Sequence, residues 1–167
     1  MRPEDELAAA DYRALAELRY QIRRFLRFSE REARRAGLEP RQHQALLALK
    51  GLPPDRLPTI GELAERLQVE HHSAVELVGR LVERGLVERR RGETDRRQVL
   101  LALTPAGAAV LRELSLLHRA ELRSAGPALL LALSALLAGE ADDAPRESTE
   151  GEPPTEGDGG DPPPGNA

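Results

Sequence analysis

The spacing of hydrophobic residues predicts a long helix at the start of the chain, followed by a shorter one. Residues 8–36 carry apolar side chains three and four positions apart, and arginines fill many of the positions between them. Gly37 is a typical stop for this helix. A second helix is predicted over residues 40–50, because Pro40 is favoured at a first helical position and Gly51 follows the last apolar residues.

Two further helices follow a proline-rich connection. Thr59 and Glu62 form a T-x-x-E capping box, which predicts a short helix that ends near Leu67. A few residues later the apolar spacing predicts another helix over residues 71–84, with Gly85 as its C-terminal stop. Two short helices that meet at a tight turn are typical of a helix-turn-helix.

The hydrophobic period changes after this point. The runs LVERR and QVLLALT are short and β-prone, and the loop RGETDR between them predicts a hairpin. Pro105 then begins a helix that continues to about residue 124. The Gly-Pro pair at residues 126–127 predicts a break, followed by a separate apolar helix over residues 129–138.

These elements predict a mainly α fold with a small β-wing, a winged helix-turn-helix flanked by N- and C-terminal helices. The expected division of the chain is an N-terminal helix at 8–36, a winged helix-turn-helix domain at 38–104, C-terminal helices at 105–138 and a disordered tail at 139–167.

Composition narrows the possible chemistry. The 167 residues include no cysteine and no tryptophan, so disulfides, thiolate catalysis and cysteine-ligated zinc are excluded. The aromatic residues are 2% of the chain, and all of them precede Ser29. Because recognition of RNA and single strands relies on aromatic stacking, duplex DNA is the better expected target.

Charge is distributed unevenly along the chain. The formal net charge is -4, but residues 139–167 contain nine acids and one arginine, which leaves a net charge of +4 on the first 138 residues. The tail is also rich in glycine and proline, and such segments cannot bury enough surface to fold. A basic body with an acidic tail suggests nucleic-acid binding. The tail either competes with DNA for the basic wing or simply improves solubility.

The start of the helix at 71–84 offers polar groups that could contact bases. A recognition helix places such groups at its N-terminal end, in the major groove. Histidine and serine can donate or accept there, and a glutamate could accept from a cytosine amino group. The candidates, arranged around Val75, which is expected to be buried, are His71, His72, Ser73 and Glu76. They could equally be solvated residues of an amphipathic helix.

The hairpin carries a cluster of arginines small enough to enter a minor groove, where the negative potential attracts guanidinium groups. The candidate wing residues are Arg89, Arg90, Arg91, Arg96 and Arg97. An isolated cluster of this kind is usually a solvated surface. Its position directly after a helix-turn-helix favours a role in DNA binding.

The segment LVERGLVERRRGETDRRQVLLALTPAG resembles the MarR-type winged-helix transcriptional regulators, including their D-x-R wing motif at Asp95 and Arg97. GLEPRQHQALLAL and TIGELAERL resemble the family's second and third helices less specifically. The resemblance implies that Arg97 enters the groove, that Asp95 orients it, and that Arg80 can assist. This sequence departs from the family pattern at Glu70 and Glu76. Relatives usually have a small polar residue at the first of these positions and often a basic residue near the second.

The terminal helices are too apolar to be exposed, particularly ALLLALSALLA, which is hydrophobic nearly all round. The resemblance implies that they interleave with a second copy into a homodimer, although they could close over the domain's own core. A two-fold dimer predicts a pseudo-palindromic operator. The resemblance also implies a repressor whose affinity changes when a small molecule binds between the dimerisation helices and the DNA-binding lobe.

Other functional classes have little support in the sequence. His71 and His72 are adjacent and point about 100° apart on a helix, so they cannot share a metal ion, and no cofactor motif is present. No nucleophile, base and oxyanion donor cluster together, so no enzyme is expected. The longest apolar run is too short to span a membrane. A cytoplasmic regulator is expected, and the alternative is a winged-helix module that dimerises and binds an acidic protein.

Overall fold

A computed structural model of the chain describes residues 7–92 and 97–139. It confirms the mainly α fold with a small β-wing. The elements are α1 (Ala9–Arg35), α2 (Pro40–Lys50), α3 (Ile60–Leu67), α4 (His71–Glu83), β1 (Val87–Arg91), β2 (Val99–Leu103) and α5 (Pro105–Gly139). The proposed disordered tail lies outside the described residues, apart from Gly139, which ends α5.

Helix α3 begins with only half of the expected capping box. The Glu62 backbone N–H donates to the Thr59 hydroxyl at 3.2 Å, as the pattern predicts. The Glu62 carboxylate does not return to the Thr59 backbone. It pairs instead with Arg66 at 2.9 Å and Arg56 at 3.4 Å, because these guanidinium groups compete with a neutral N–H for the carboxylate.

The turn between α3 and α4 is short because one residue adopts the left-handed conformation. Gln68 has a φ of 53°, and the N–H of Val69 donates to the Ala64 carbonyl at 3.0 Å. This arrangement satisfies an orphan carbonyl at the end of α3 and reverses the chain direction within three residues. The helix-turn-helix predicted from the sequence is therefore present.

The wing is an antiparallel two-stranded sheet in which Val87 pairs with Leu103 and Arg91 with Val99. Its base is attached to the helical lobe, because Leu101 donates a backbone hydrogen bond to the Pro58 carbonyl at 2.7 Å. The hairpin therefore projects from a fixed root next to the start of α3.

The entry to α5 depends on a glycine. The Thr104 hydroxyl donates to the Gly85 carbonyl at 2.6 Å and accepts from the Gly107 N–H at 3.1 Å. A Cβ atom at Gly107 would lie 2.0 Å from the Leu86 carbonyl oxygen. The first turn of α5 can therefore approach the start of the wing only because position 107 has no side chain.

The expected break at Gly126 and Pro127 is wrong. A single helix, α5, runs from Pro105 to Gly139 with Pro127 inside it. Proline removes one intrahelical hydrogen bond and weakens a helix locally. Packing overrides this cost, because α5 lies against α1 on both sides of the proline: His118 contacts Phe25 and Phe28, and Ala132 is buried.

The hydrophobic core lies in the winged-helix lobe and the adjoining ends of the two long helices. Its fully buried large side chains are Leu46, Leu63, Val78, Leu81, Val87 and Leu114. Large apolar side chains of the outer parts of α1 and α5 remain exposed in the single chain, as in Tyr12, Tyr20, Leu122, Leu130, Leu131 and Leu137.

Within the described ranges, one helix (Pro105–Ala138) is long and apolar enough to cross a membrane by length and composition alone. No such span was expected from the length of the apolar runs. The uncharged part of this helix, residues 124–138, is about 22 Å long. That is shorter than the ~30 Å hydrocarbon core of a bilayer, and the helix also packs against α1.

Candidate nucleic-acid interface

Helix α4 buries one stripe of side chains and exposes the other. Ala74, Leu77, Val78 and Leu81 are buried, at the i, i+3, i+4 and i+7 spacing of a core-facing stripe. Val75 falls outside this stripe and is 40% exposed, so the expectation that it is buried was wrong. The same periodicity, counted from Ala74 instead of Val75, could have identified it as a surface residue.

The exposed side of α4 carries most of the polar residues selected from the sequence. His71, His72, Glu76 and Arg80 are exposed, and Ser73 is half-buried at the first turn. Glu76 and Arg80 are one helical turn apart, yet no ion pair joins them in the described part of the chain. Both charged groups remain available to a partner.

A polar groove of about 260 Å³ lies where α4 meets α2 and the turn. Ser73, Glu76 and Arg80 line one side of it, and Arg41 of α2 lines the other. Arg41 was not among the residues selected from the sequence. Its position near α4 depends on how α2 packs, and no local pattern carries that information.

The wing presents three consecutive exposed arginines on β1. Successive side chains of a strand point to opposite faces, so Arg89 and Arg91 share a face and Arg90 lies on the other. Arg90 donates to the Glu88 carboxylate at 2.7 Å, which offsets part of its charge. Arg97 is exposed in the turn before β2. Asp95 and Arg96 lie outside the described residues, so their predicted roles stay predictions.

The far end of α4 is tied to the rest of the lobe through Arg84. Its guanidinium donates to the Gln42 side chain and to the Gly37 carbonyl, both at 2.7 Å. These bonds link the end of α4 to the turn between α1 and α2. The orientation of the exposed α4 side is therefore set by contacts far away in sequence.

A buried histidine pair lies where α1, α2 and α5 meet. The His43 and His118 rings are 4.8 Å apart, and the edges of Phe25 and Phe28 pack against His118. His118 Nδ1 lies 2.6 Å from the Leu114 carbonyl oxygen, and its Nε2 is buried without a hydrogen-bond partner. Burial, and then the neighbouring His118, lower the pKa of His43 from its ordinary 6.5 to about 4.

Comparison with known proteins agrees with this geometry. Residues 36–98 match the sequence model of the MarR family. The fold is also similar to that of a MarR family transcription regulator that is 25% identical, with a TM-score of 0.60 over 80% of this chain and 93% of that chain. Residues 36–98 form a winged helix of the MarR type. The family match covers the lobe from the end of α1 to the start of β2.

Other solved structures match along most of the chain, among them a second MarR family transcriptional regulator. AbsC from Streptomyces coelicolor is 22% identical, with a TM-score of 0.63 over 82% of this chain and 95% of AbsC. A mutant of MepR from S. aureus, solved bound to an oligodeoxyribonucleotide, is 17% identical with a TM-score of 0.50 over 87% and 90% of the two chains. These two similarities show a shared fold and nothing further. A search of curated protein sequences finds no match.

Proposed function

We propose that this MarR-type chain is a dimeric transcription regulator that binds a pseudo-palindromic duplex DNA site. The observation that carries the proposal is the combination of an exposed polar side of α4 with a wing on which Arg89, Arg90, Arg91 and Arg97 are exposed. A helix of this kind suits the major groove, and arginines on a narrow hairpin suit the minor groove. The DNA-bound MepR mutant with a similar fold supports this assignment.

The residues proposed to contact bases are those at the exposed side of α4. His71, His72 and Ser73 can donate or accept at base edges, and Glu76 can accept from a cytosine amino group. Val75 joins them, because an exposed valine on this helix can pack against a thymine methyl group. We assign phosphate contacts to Arg80 and Arg41, which both line the polar groove.

A homodimer is proposed because the outer parts of α1 and α5 leave large apolar side chains uncovered. Leu130 and Leu131 are 65% and 73% exposed, and Leu137 is 62% exposed. Covering such side chains with a second copy would gain roughly 25 cal/mol per Å² of apolar surface. Two copies would place two wings and two α4 helices on one duplex, as two-fold symmetry requires.

A small-molecule effector and a repressor role complete the proposal, and both derive from the family resemblance. We call α1 and α5 the arms, and the part from α2 to β2 the winged-helix lobe. A crevice of about 260 Å³ between α2 and α5 lies where the lobe meets the arms, and Leu47, Leu111 and Arg112 are among the residues that line it. A ligand there would bias the angle between the two. We place this activity in the cytoplasm and assign no enzymatic reaction to the chain.

The test is binding of the full chain to the duplex upstream of its own gene, by mobility shift, with unrelated duplex as competitor. Arg97→Ala should weaken binding by about tenfold or more, as expected when a minor-groove or base interaction worth ~1–3 kcal/mol is removed. Replacing Arg89, Arg90 and Arg91 by Ala should reduce the slope of log affinity against log salt by about 0.9 for each phosphate that is no longer neutralised. Arg119→Ala, an exposed arginine on α5, serves as the matched control.

Unchanged affinity and unchanged salt slope in both wing variants would refute the role of the wing. The alternative is a protein-interaction module. It would be supported if the chain dimerises and binds an acidic protein but binds no duplex specifically.

A further inference from the structure

A groove of about 640 Å³ lies along α1 and is bordered by Glu121 of α5. Four arginines of α1 line it, Arg23, Arg24, Arg27 and Arg31, and Glu121 contributes from α5. Tyr20 and Phe28 add two aromatic rings. It is therefore a cationic groove with partly apolar walls, distinct from both the wing and α4.

Most of this positive charge is not neutralised within the described chain. Arg23, Arg24 and Arg27 are exposed, and in residues 7–92 and 97–139 none of them forms an ion pair. Glu30 also lines the groove, but its carboxylate pairs with Arg34 at 3.3 Å. The groove therefore offers a row of guanidinium groups to an anionic partner.

The contacts of Arg31 show how a carboxylate binds an arginine of this groove. Arg31 donates to Glu32 at 3.0 Å, and its guanidinium lies 5.4 Å from the Phe28 ring centroid. One arginine of the groove is thus already held by a carboxylate and an aromatic face. The three arginines one and two turns earlier have no equivalent carboxylate.

The chain itself contains a complementary segment. Residues 140–167 carry nine acids and one arginine over 28 residues, and they follow directly after the end of α5. No other stretch of comparable length in the sequence has such an excess of one charge sign.

The geometry of α5 places this segment within reach of the groove. Helix α5 runs antiparallel to α1, so its end lies near the start of α1, where Ala10 and Ala14 face Leu131 and Ala135. Glu121 at the groove is 18 residues before Gly139, a distance of about 27 Å along the helix. About eight extended residues cover that distance, so acids from Glu147 onward can reach the arginines.

The wing is a poorer partner for the same segment. Its root adjoins Pro105, which is separated from Gly139 by the full length of α5, about 52 Å. A tethered group has a higher effective concentration at the nearer of two sites, once its linker can span the distance. The groove is about half as far away, and Arg23, Arg24 and Arg27 in it are exposed, as the described wing arginines are.

We propose that the acidic C-terminal segment, residues 140–167, binds in the cationic groove between α1 and α5 of its own chain. Carboxylates from Glu147 onward pair with Arg23, Arg24 and Arg27, and the wing is left free. The proposal does not rest on DNA binding, because it concerns a surface separate from α4 and the wing.

The absence of cysteine allows a clean test in the full chain. A nitroxide spin label is attached at Ser148→Cys in ¹⁵N-labelled protein, which is mixed with an excess of unlabelled chain so that each effect arises within one chain. Paramagnetic broadening of backbone amide signals is measured at ~0.01 M and ~1 M salt, between which the screening length falls from about 30 Å to about 3 Å.

We expect strong broadening over residues 20–31 at low salt and a severalfold decrease of it at high salt. Neutralising the groove with Arg23→Gln, Arg24→Gln and Arg27→Gln should abolish it, whereas Arg19→Gln, an exposed arginine of α1 outside the groove, should leave it unchanged. Neutralising Glu147, Glu150 and Glu152 to Gln should also abolish it without altering the folded part.

Three results would overturn the proposal. Broadening confined to the wing, residues 87–91 and 97, would place the segment there. Uniformly weak broadening would show that the acidic segment does not bind in the groove, as expected if a second copy of the chain covers the groove. Broadening of residues 20–31 that persists in the tail-neutralised variant would exclude carboxylate pairing as its cause.

Discussion

The winged-helix lobe and the arms bury their hydrophobic residues in different ways. In the lobe, side chains such as Leu46, Leu63 and Val78 are buried within one chain. In the arms, Leu130, Leu131 and others of similar size remain exposed, although α1 and α5 pack against each other. The lobe therefore has a hydrophobic core within one chain, whereas the arms leave apolar side chains that the proposed second copy would cover. The contrast separates the surface that one chain buries by itself from the surface on which the dimer proposal rests.

The largest expected effect comes from placing charge on the uncovered face of the arms. Leu131→Glu together with Leu137→Glu should abolish the dimer, because each buried leucine is worth ~1.5–3 kcal/mol and occurs twice in a symmetric interface. Sedimentation velocity measures the dissociation. Gln44→Glu, at an exposed polar position of α2 outside the arms, is the control. A double variant that stays dimeric would show that these leucines lie outside the interface.

A smaller effect is expected where lobe and arms meet, at the buried histidine pair. The pKa of His43 is about 4 in the folded chain, and it returns to its ordinary value of about 6.5 when the chain unfolds. The unfolded state therefore binds more protons between these values, and the free energy of unfolding should fall by up to about 3 kcal/mol as pH decreases from 6.5 to 4.

Urea unfolding at a series of pH values measures this decrease. His43→Leu should remove most of the slope, and His72→Gln, at an exposed histidine of α4, should keep it. A pH slope that is identical in the wild-type chain and the His43→Leu variant would show that other groups cause the acid sensitivity.

The smallest of these effects tests the packing of α5 against the wing. Gly107→Ala should destabilise the chain by about 1–3 kcal/mol, because its Cβ meets backbone atoms of Leu86 that cannot rotate away. Gly126→Ala is the matched comparison, since its Cβ meets nothing within 4 Å and alanine is the better helix former. Thermal unfolding should therefore shift in opposite directions in the two variants. Equal shifts would mean that α5 can move away from Leu86.

The sequence predicted the lobe more accurately than the arms. Helices α2 to α4 and both strands lie within a few residues of their predicted positions, because each has a cap, a glycine stop or a clear period. The break at Pro127 was predicted from local chemistry, and packing along α1 overrode it. Arg41 was missed for a similar reason, since its position beside α4 depends on how α2 packs. Val75 was misplaced because the helical period was counted from the wrong residue.

The amino-acid sequence by itself determined the order of elements, the basic wing, the acidic segment and the excess of leucine in the last helix. These properties follow from local patterns and from composition, which act over a few residues at a time. Only the tertiary structure decided that Arg84 holds α4 to the turn after α1, that His43 meets His118, and that four arginines line one groove with Glu121. Such contacts join residues far apart in the chain, so they depend on how whole helices pack.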